Sequence, residues 1–334
     1  MIGFFAISGF LLTQSLEQNP SLSRYCLHRA ARILPGYWAV LLLTALVLAP
    51  ILIHRELSGK LSYGEMLFLG PSSAFDYLAN NWMLQIGQEK IGALFAENPG
   101  LHSVNGSLWT LYHEAICYAG LLLLWVVGGL RRQVTLLLWV AVYALQVLDF
   151  ADHEAFLTIS PFATMAAHFL SIGIYRALYL SFLSGVLIHQ LRLSEKWSRA
   201  WFGIAVTILI LSIPCRLSPV VWPATLPLIL ISLAHRLPFS RVERWGDWSY
   251  GIYIYAFPIQ QCLALVGLHH FGIVPFLLGS LTLSFLAGAV SWHLVERPIL
   301  HWARGVFKKT PRTVIPNRLA VETIAVISVG DARS

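Results

Sequence analysis

Asn105-Gly106-Ser107-Leu108-Trp109-Thr110-Leu111-Tyr112-His113-Glu114 opens an apolar run that ends near Gly128. A helix carrying Leu121 to Val127 into lipid is a costly place for a carboxylate. An ionised Glu in hydrocarbon costs several kcal/mol, so such residues face a protein interior and serve a purpose there. Glu114 is the one acidic residue well inside an apolar run, which makes it the first candidate for chemistry.

Composition agrees with a lipid setting. The chain has 334 residues, 57% of them hydrophobic and only 12% charged, with a mean hydropathy of +0.67. Soluble domains carry about a quarter charged residues. The four cysteines, Cys26, Cys117, Cys215 and Cys262, have neither metal-type spacing nor the density of a disulfide framework, so no metal site is expected.

Nine apolar runs can be marked, at about 2–16, 33–53, 108–128, 133–148, 171–190, 201–214, 219–235, 249–268 and 273–295. The expected fold is all-α and polytopic, with about nine transmembrane helices in residues 1–306. A basic, poorly ordered cytoplasmic tail is expected over 307–334. If the connection 17–32 is cytoplasmic and sides alternate, 18 of the 23 basic residues fall on the cytoplasmic side. The net charge of +7 is then a topology signal, and no nucleic-acid partner is expected. This topology puts Met1 outside and the C-terminus inside, so a further helix is expected upstream of Met1.

Further motifs lie on other runs. Phe4-Phe5-Ala6-Ile7-Ser8-Gly9-Phe10-Leu11 offers a Ser-Gly pair suited to close helix contact. In Arg29-Ala30-Ala31-Arg32-Ile33-Leu34-Pro35-Gly36-Tyr37, two arginines three apart share a helix face, and Pro35 suits a first helical turn. The arginines are either a positive-inside anchor or a phosphate clamp, since guanidinium matches phosphate oxygens bidentately. Trp109 fits an interfacial belt. Arg176 is either a structural partner of Glu114 or part of a polar substrate groove with it. The long connection 54–107 either caps a pocket or packs on the surface. Asn105-Gly106-Ser107 also matches a glycosylation sequon, a pattern of little information.

In this order the motifs resemble acyltransferase family 3, the bacterial integral-membrane O-acyltransferases. The matching elements are FFxISGFL (Phe4–Leu11), RxxRIxPxY (Arg29–Tyr37), SLWxLxxE (Ser107–Glu114), SYGIYxYxFP (Ser249–Pro258) and ERP (Glu296–Pro298). The resemblance implies a ten-helix enzyme of the bacterial inner membrane. It would move an acyl group, often acetyl, from cytoplasmic acyl-CoA to a hydroxyl of a cell-envelope glycan or lipid-linked glycan, with no bound cofactor. The family's catalytic histidine lies on a helix ahead of FFxISGFL, on the expected upstream segment. His28 stands at the first position of a common Arg-Arg pair, and Ala256 where many members have His.

On this basis Arg29 and Arg32 are expected to hold the CoA phosphates or the inner end of the acyl path, and Arg176 to bind substrate. Glu114, the catalytic candidate, is expected with the substrate-binding Trp109 and Ser107 to bind or orient the acceptor, or to partner the upstream histidine. With the arginines at the inner face and Glu114 toward the outer, the two groups are expected about 15–20 Å apart in a core of about 30 Å. Two other classes remain: a transporter or flippase of a lipid-linked glycan, and an inactive remnant lacking its first helix.

Overall fold

The computed structural model describes residues 1–56, 67–68, 72–100, 102–151, 173–193, 199–236 and 246–306. The tail 307–334 lies outside them. Among the described residues all regular structure is helical, and each of the nine apolar runs holds a helix.

The order is α1 (Ile2–Gln18), α2 (Leu22–Leu42), α3 (Ala49–Glu56), α4 (Ala74–Asn81), α5 (Trp109–Val126), α6 (Arg132–Ala151) and α7 (Gly173–Leu191). Then come α8 (Arg199–Leu211), α9 (Ser218–Arg236), α10 (Ser249–Leu265), α11 (Ile273–Ser291) and α12 (Arg297–Val306). Two π-helical stretches, Leu43–Leu48 and Trp292–Glu296, join α2 to α3 and α11 to α12. Each ends two residues before a proline, Pro50 or Pro298, which has no N–H to give the carbonyl one turn back.

Four of these helices are long and apolar enough to cross a membrane: Leu22–Ile53, Trp109–Val126, Arg132–Ala151 and Ile273–Val306. Arg199–Leu211 and Ser218–Ala234 are apolar but shorter. Each of the nine apolar runs expected to cross thus holds helix, but among the described residues four spans have the length and apolarity to do so.

Two expectations about the second run are corrected. The helix begins at Leu22, not near 33, because Ser21 caps it by accepting from the Arg24 N–H at 3.5 Å. Pro35 accordingly lies in the helix interior rather than in its first turn.

The packing is inside-out by the standard of a soluble protein. Helix α11 buries Ser280, Ser284, Gly288 and Ser291 and exposes Leu277, Leu278, Leu281, Phe285 and Leu286. Helix α6 buries only Thr135 and Gln146. Small and polar side chains thus line helix contacts, while large apolar ones face outward to where lipid would lie.

Helices α1 and α7 meet closely through Gly9 and Gly185. A Cβ at Gly9 would overlap the Phe182 carbonyl, and one at Gly185 would overlap the Ala6 carbonyl. The Ser-Gly pair is thus a contact device.

The described part of the connection between α3 and α5, residues 72–100 and 102–108, folds inward as a cap. Tyr77, Ile91, Leu94, Phe95 and Val104 share one core with Tyr37, Leu41, Tyr250 and Ile254 of α2 and α10. Asn81, fully buried, sets the path: its Oδ1 accepts from the Gly87 and Gln88 N–H groups, and its Nδ2 donates to the Gln88 carbonyl.

Candidate active site

The start of α5 is pinned from below and from the side. Asn105 Oδ1 accepts from the Ser107 N–H at 3.1 Å, an Asx-type turn, while its Nδ2 donates to the Ile254 carbonyl of α10 at 3.0 Å. A buried side chain so engaged is no glycosylation acceptor. The Ser107 carbonyl accepts from the Tyr253 hydroxyl at 2.9 Å and from the Thr110 hydroxyl at 3.2 Å. Ser107 therefore fixes α5 against α10 through its backbone.

Glu114 points into the protein, with 3% of its surface exposed. Its Oε1 accepts a hydrogen bond from the Tyr118 hydroxyl one helical turn on. Tyr118 in turn ties in α2: its carbonyl accepts from the Tyr25 hydroxyl at 3.1 Å, and its ring lies 5.9 Å beneath the Arg29 guanidinium. The charges of both Arg29 and Arg32 act on the Glu114 carboxylate.

The expected gap between arginines and acid is thereby overturned. Arg29 and Arg32 lie two to three turns inside α2, because that helix starts at Leu22, and their level matches that of Tyr118. Three residues predicted from sequence, Glu114, Arg29 and Arg32, share one junction of α1, α2 and α5.

The two arginines differ in what they already hold. Arg32 donates to Asp247 at 2.7 Å and to Glu296 at 3.3 Å, and it covers the Tyr250 ring at 5.4 Å. Glu296, 1% exposed, also accepts from the Ser291 hydroxyl at 3.0 Å. The π-turn aims it there. Arg29 makes no ion pair among the described residues, and its Nε is buried without a hydrogen-bond partner. It is the guanidinium with valence to spare.

Trp109 and His113 face α7, not α2. The His113 ring lies 4.0 Å from that of Tyr175, and its Nδ1 is 2.6 Å from the Tyr179 hydroxyl. Trp109 packs 5.6 Å from both His113 and Tyr175. Arg176 does not pair with Glu114. Fully buried, it donates to Asp149 and to Gln146 Oε1, joining α7 to α6.

Sequence reasoning missed Tyr118, Glu296 and Asp247 as members of the cluster. The i,i+4 spacing from Glu114 was a usable signal for Tyr118. Glu296 stood in a quoted motif without a role. Asp247 had no local signal, since it meets Arg32 only through the fold.

A family model described as an acyltransferase domain matches residues 1–294. An O-acetyl transferase of Shigella phage Sf6 is 29% identical over 309 residues, covering 90% of this chain and 84% of that protein. Nodulation protein 10 of Rhizobium leguminosarum bv. viciae is 28% identical over 314 residues, covering 89% of this chain and 80% of that protein. No solved structure matches the chain.

Proposed function

Since the chain belongs to acyltransferase family 3 and is an acyltransferase, we propose that it moves an acetyl group from cytoplasmic acyl-CoA to a hydroxyl of a cell-envelope glycan or lipid-linked glycan. It would do so in the bacterial inner membrane, with its C-terminus cytoplasmic. The observation that carries this reading is the buried Glu114 carboxylate beside Tyr118, under an arginine with no counter-ion among the described residues.

In this reading the acceptor O–H gives its proton to Glu114 as its oxygen attacks the thioester carbonyl. The C–O bond forms, the C–S bond breaks, and the proton passes to the departing thiolate. A hydroxyl with a pKa far above 7 needs such a base within hydrogen-bond reach. Tyr118 holds the carboxylate in place. Arg29 takes a phosphate of the donor, and its orphaned Nε supports that assignment. Arg32, already bound to Asp247 and Glu296, holds the donor end of the site in shape while presenting a second positive charge. Ser107 and Trp109 stand where the acceptor would enter along α5, with Arg176 bracing α7 behind them. The name of the phage relative supports acetyl as the group moved.

The test is transfer from labelled acetyl-CoA by the full chain in nanodiscs. Glu114→Gln is expected to lower turnover by about 10²–10⁴-fold, the range for loss of a general base. Unchanged turnover removes Glu114 from the chemistry. Arg29→Ala is expected to raise the donor KM with little change in kcat; an equal loss in both makes Arg29 structural.

A further inference from the structure

Helix α10 has two ends with different chemistry. At its start, Asp247 meets Arg32. Its 17 residues then run about 25 Å to a cleft of about 290 Å³ at the far end. The cleft lies between the cap, α10 and the turn into α11, and its walls include Pro99, Phe257, Gln260, Gln261, His269 and Phe276.

Among the described residues, its lining contains no acidic and no Lys or Arg side chain. Positions 257, 260, 261 and 264 form one stripe of α10, as helical spacing requires. Gln261 is a fixed wall, since its Oε1 accepts from Asn98 and its Nε2 donates to the Ser103 carbonyl. Gln260 is exposed, so its amide is open to a ligand. His269 Nδ1 is buried with no hydrogen-bond partner, while its ring lies 3.9 Å from that of His270 at a tilt of 40°. A buried polar atom left unmatched is unusual in a protein and asks for a ligand group.

One wall of the cleft, Phe257, also packs on the turn that precedes α5. The Phe257 ring covers Gly106, where a Cβ would come within 2.7 Å of it. Gly106 directly precedes Ser107, in the turn that leads into α5, and Glu114 lies on that helix within its first two turns. Neutral walls, two phenyl faces, one open amide and one unmatched imidazole nitrogen suit a ring with C–H faces and a hydroxyl edge. The volume is at the lower limit of small-molecule sites, about 300 Å³, which is room for one such ring.

We infer that this cleft is a subsite for a neutral sugar ring of the acceptor, selected by Phe257, Gln260 and His269. The inference rests on the proposed acyl transfer to a hydroxyl. It places the acceptor's entry at the opposite end of α10 from the Arg29 and Arg32 cluster, with Glu114 between.

The experiment uses the full chain in nanodiscs and saturation-transfer NMR with the methyl glycosides of glucose, galactose and mannose, and with methyl glucuronide as the charged probe. At least one neutral glycoside should receive saturation on its ring C–H protons, and more strongly than the glucuronide. Gln260→Ala and His269→Ala should each weaken that binding by about threefold to tenfold, the loss of one hydrogen bond. Gln260 is on an exposed face, so its variant keeps the test in hand if His269→Ala does not fold. Glu114→Gln should bind the glycoside as the wild type does. No binding of any neutral glycoside, equal binding by the cleft variants, or preference for the glucuronide overturns the inference. If glycosides bind as expected but Glu114→Gln retains full turnover, the cleft stands and the assignment of Glu114 falls.

Discussion

Arg32 and Glu296 are 264 positions apart in the chain and meet at 3.3 Å. Their contact joins the middle of α2 to the π-turn after α11, so an early and a late part of the described bundle close on each other.

This pair gives the first prediction. Glu296 is 1% exposed and Arg32 19%, so Arg32→Ala leaves a buried carboxylate without its cation. The expected loss is about 3 kcal/mol, the lower end of the range for breaking a buried pair, because Arg32 keeps some solvent. Adding Glu296→Gln to Arg32→Ala should recover part of the loss in thermal unfolding. Additive losses across the double-mutant cycle would mean that the two do not couple.

Tyr118→Phe removes the hydroxyl that holds Glu114 and keeps the ring beneath Arg29. A hydrogen bond to a charged group is worth about 1.5–3 kcal/mol, so turnover should fall about tenfold to a hundredfold. The donor KM should stay near wild type. Initial rates at varied acetyl-CoA separate these outcomes, and a donor KM that rises with no change in kcat would contradict the assigned role.

The Asn81 amide holds three backbone groups of the cap. Asn81→Leu strands the Gly87 and Gln88 N–H groups, at about 1–3 kcal/mol for each buried donor left unmet. Faster proteolysis within 82–100, with the helices still intact by circular dichroism, is the expected signature. Cleavage at the wild-type rate would show that the cap does not depend on this residue.

Gly185→Leu forces a side chain into the Ala6 carbonyl of α1. Overpacking commonly costs about 1–3 kcal/mol, and a backbone obstacle cannot turn aside as a side chain can. A lowered midpoint of thermal unfolding in detergent is expected, larger than that of Gly120→Leu, where a Cβ meets nothing within 4 Å. Equal shifts at the two glycines would argue against close approach.

Much of this arrangement was legible before any coordinates. The inward direction of Glu114 followed from the cost of a carboxylate in hydrocarbon, and the Ser8-Gly9 contact from small-residue packing. The level of Arg29 and Arg32 was misjudged because hydropathy marks where lipid-facing residues begin, not where helix begins. Ser21 caps α2 well before the apolar run, and that signal was available. The partners of Arg176 were a different case. Asp149 and Gln146 stand at the end of a neighbouring helix, and no local pattern couples them to α7.

The Gly9 and Gly185 contact also constrains how the molecule can move. Two helices whose backbones already touch have no side-chain layer to slide on, so α1 and α7 behave as one rigid wall behind Tyr118. Any breathing that admits the proposed acyl-CoA donor must then come from the opposite side. There α2 and the π-turn are held by charge pairs that water or an incoming phosphate can loosen.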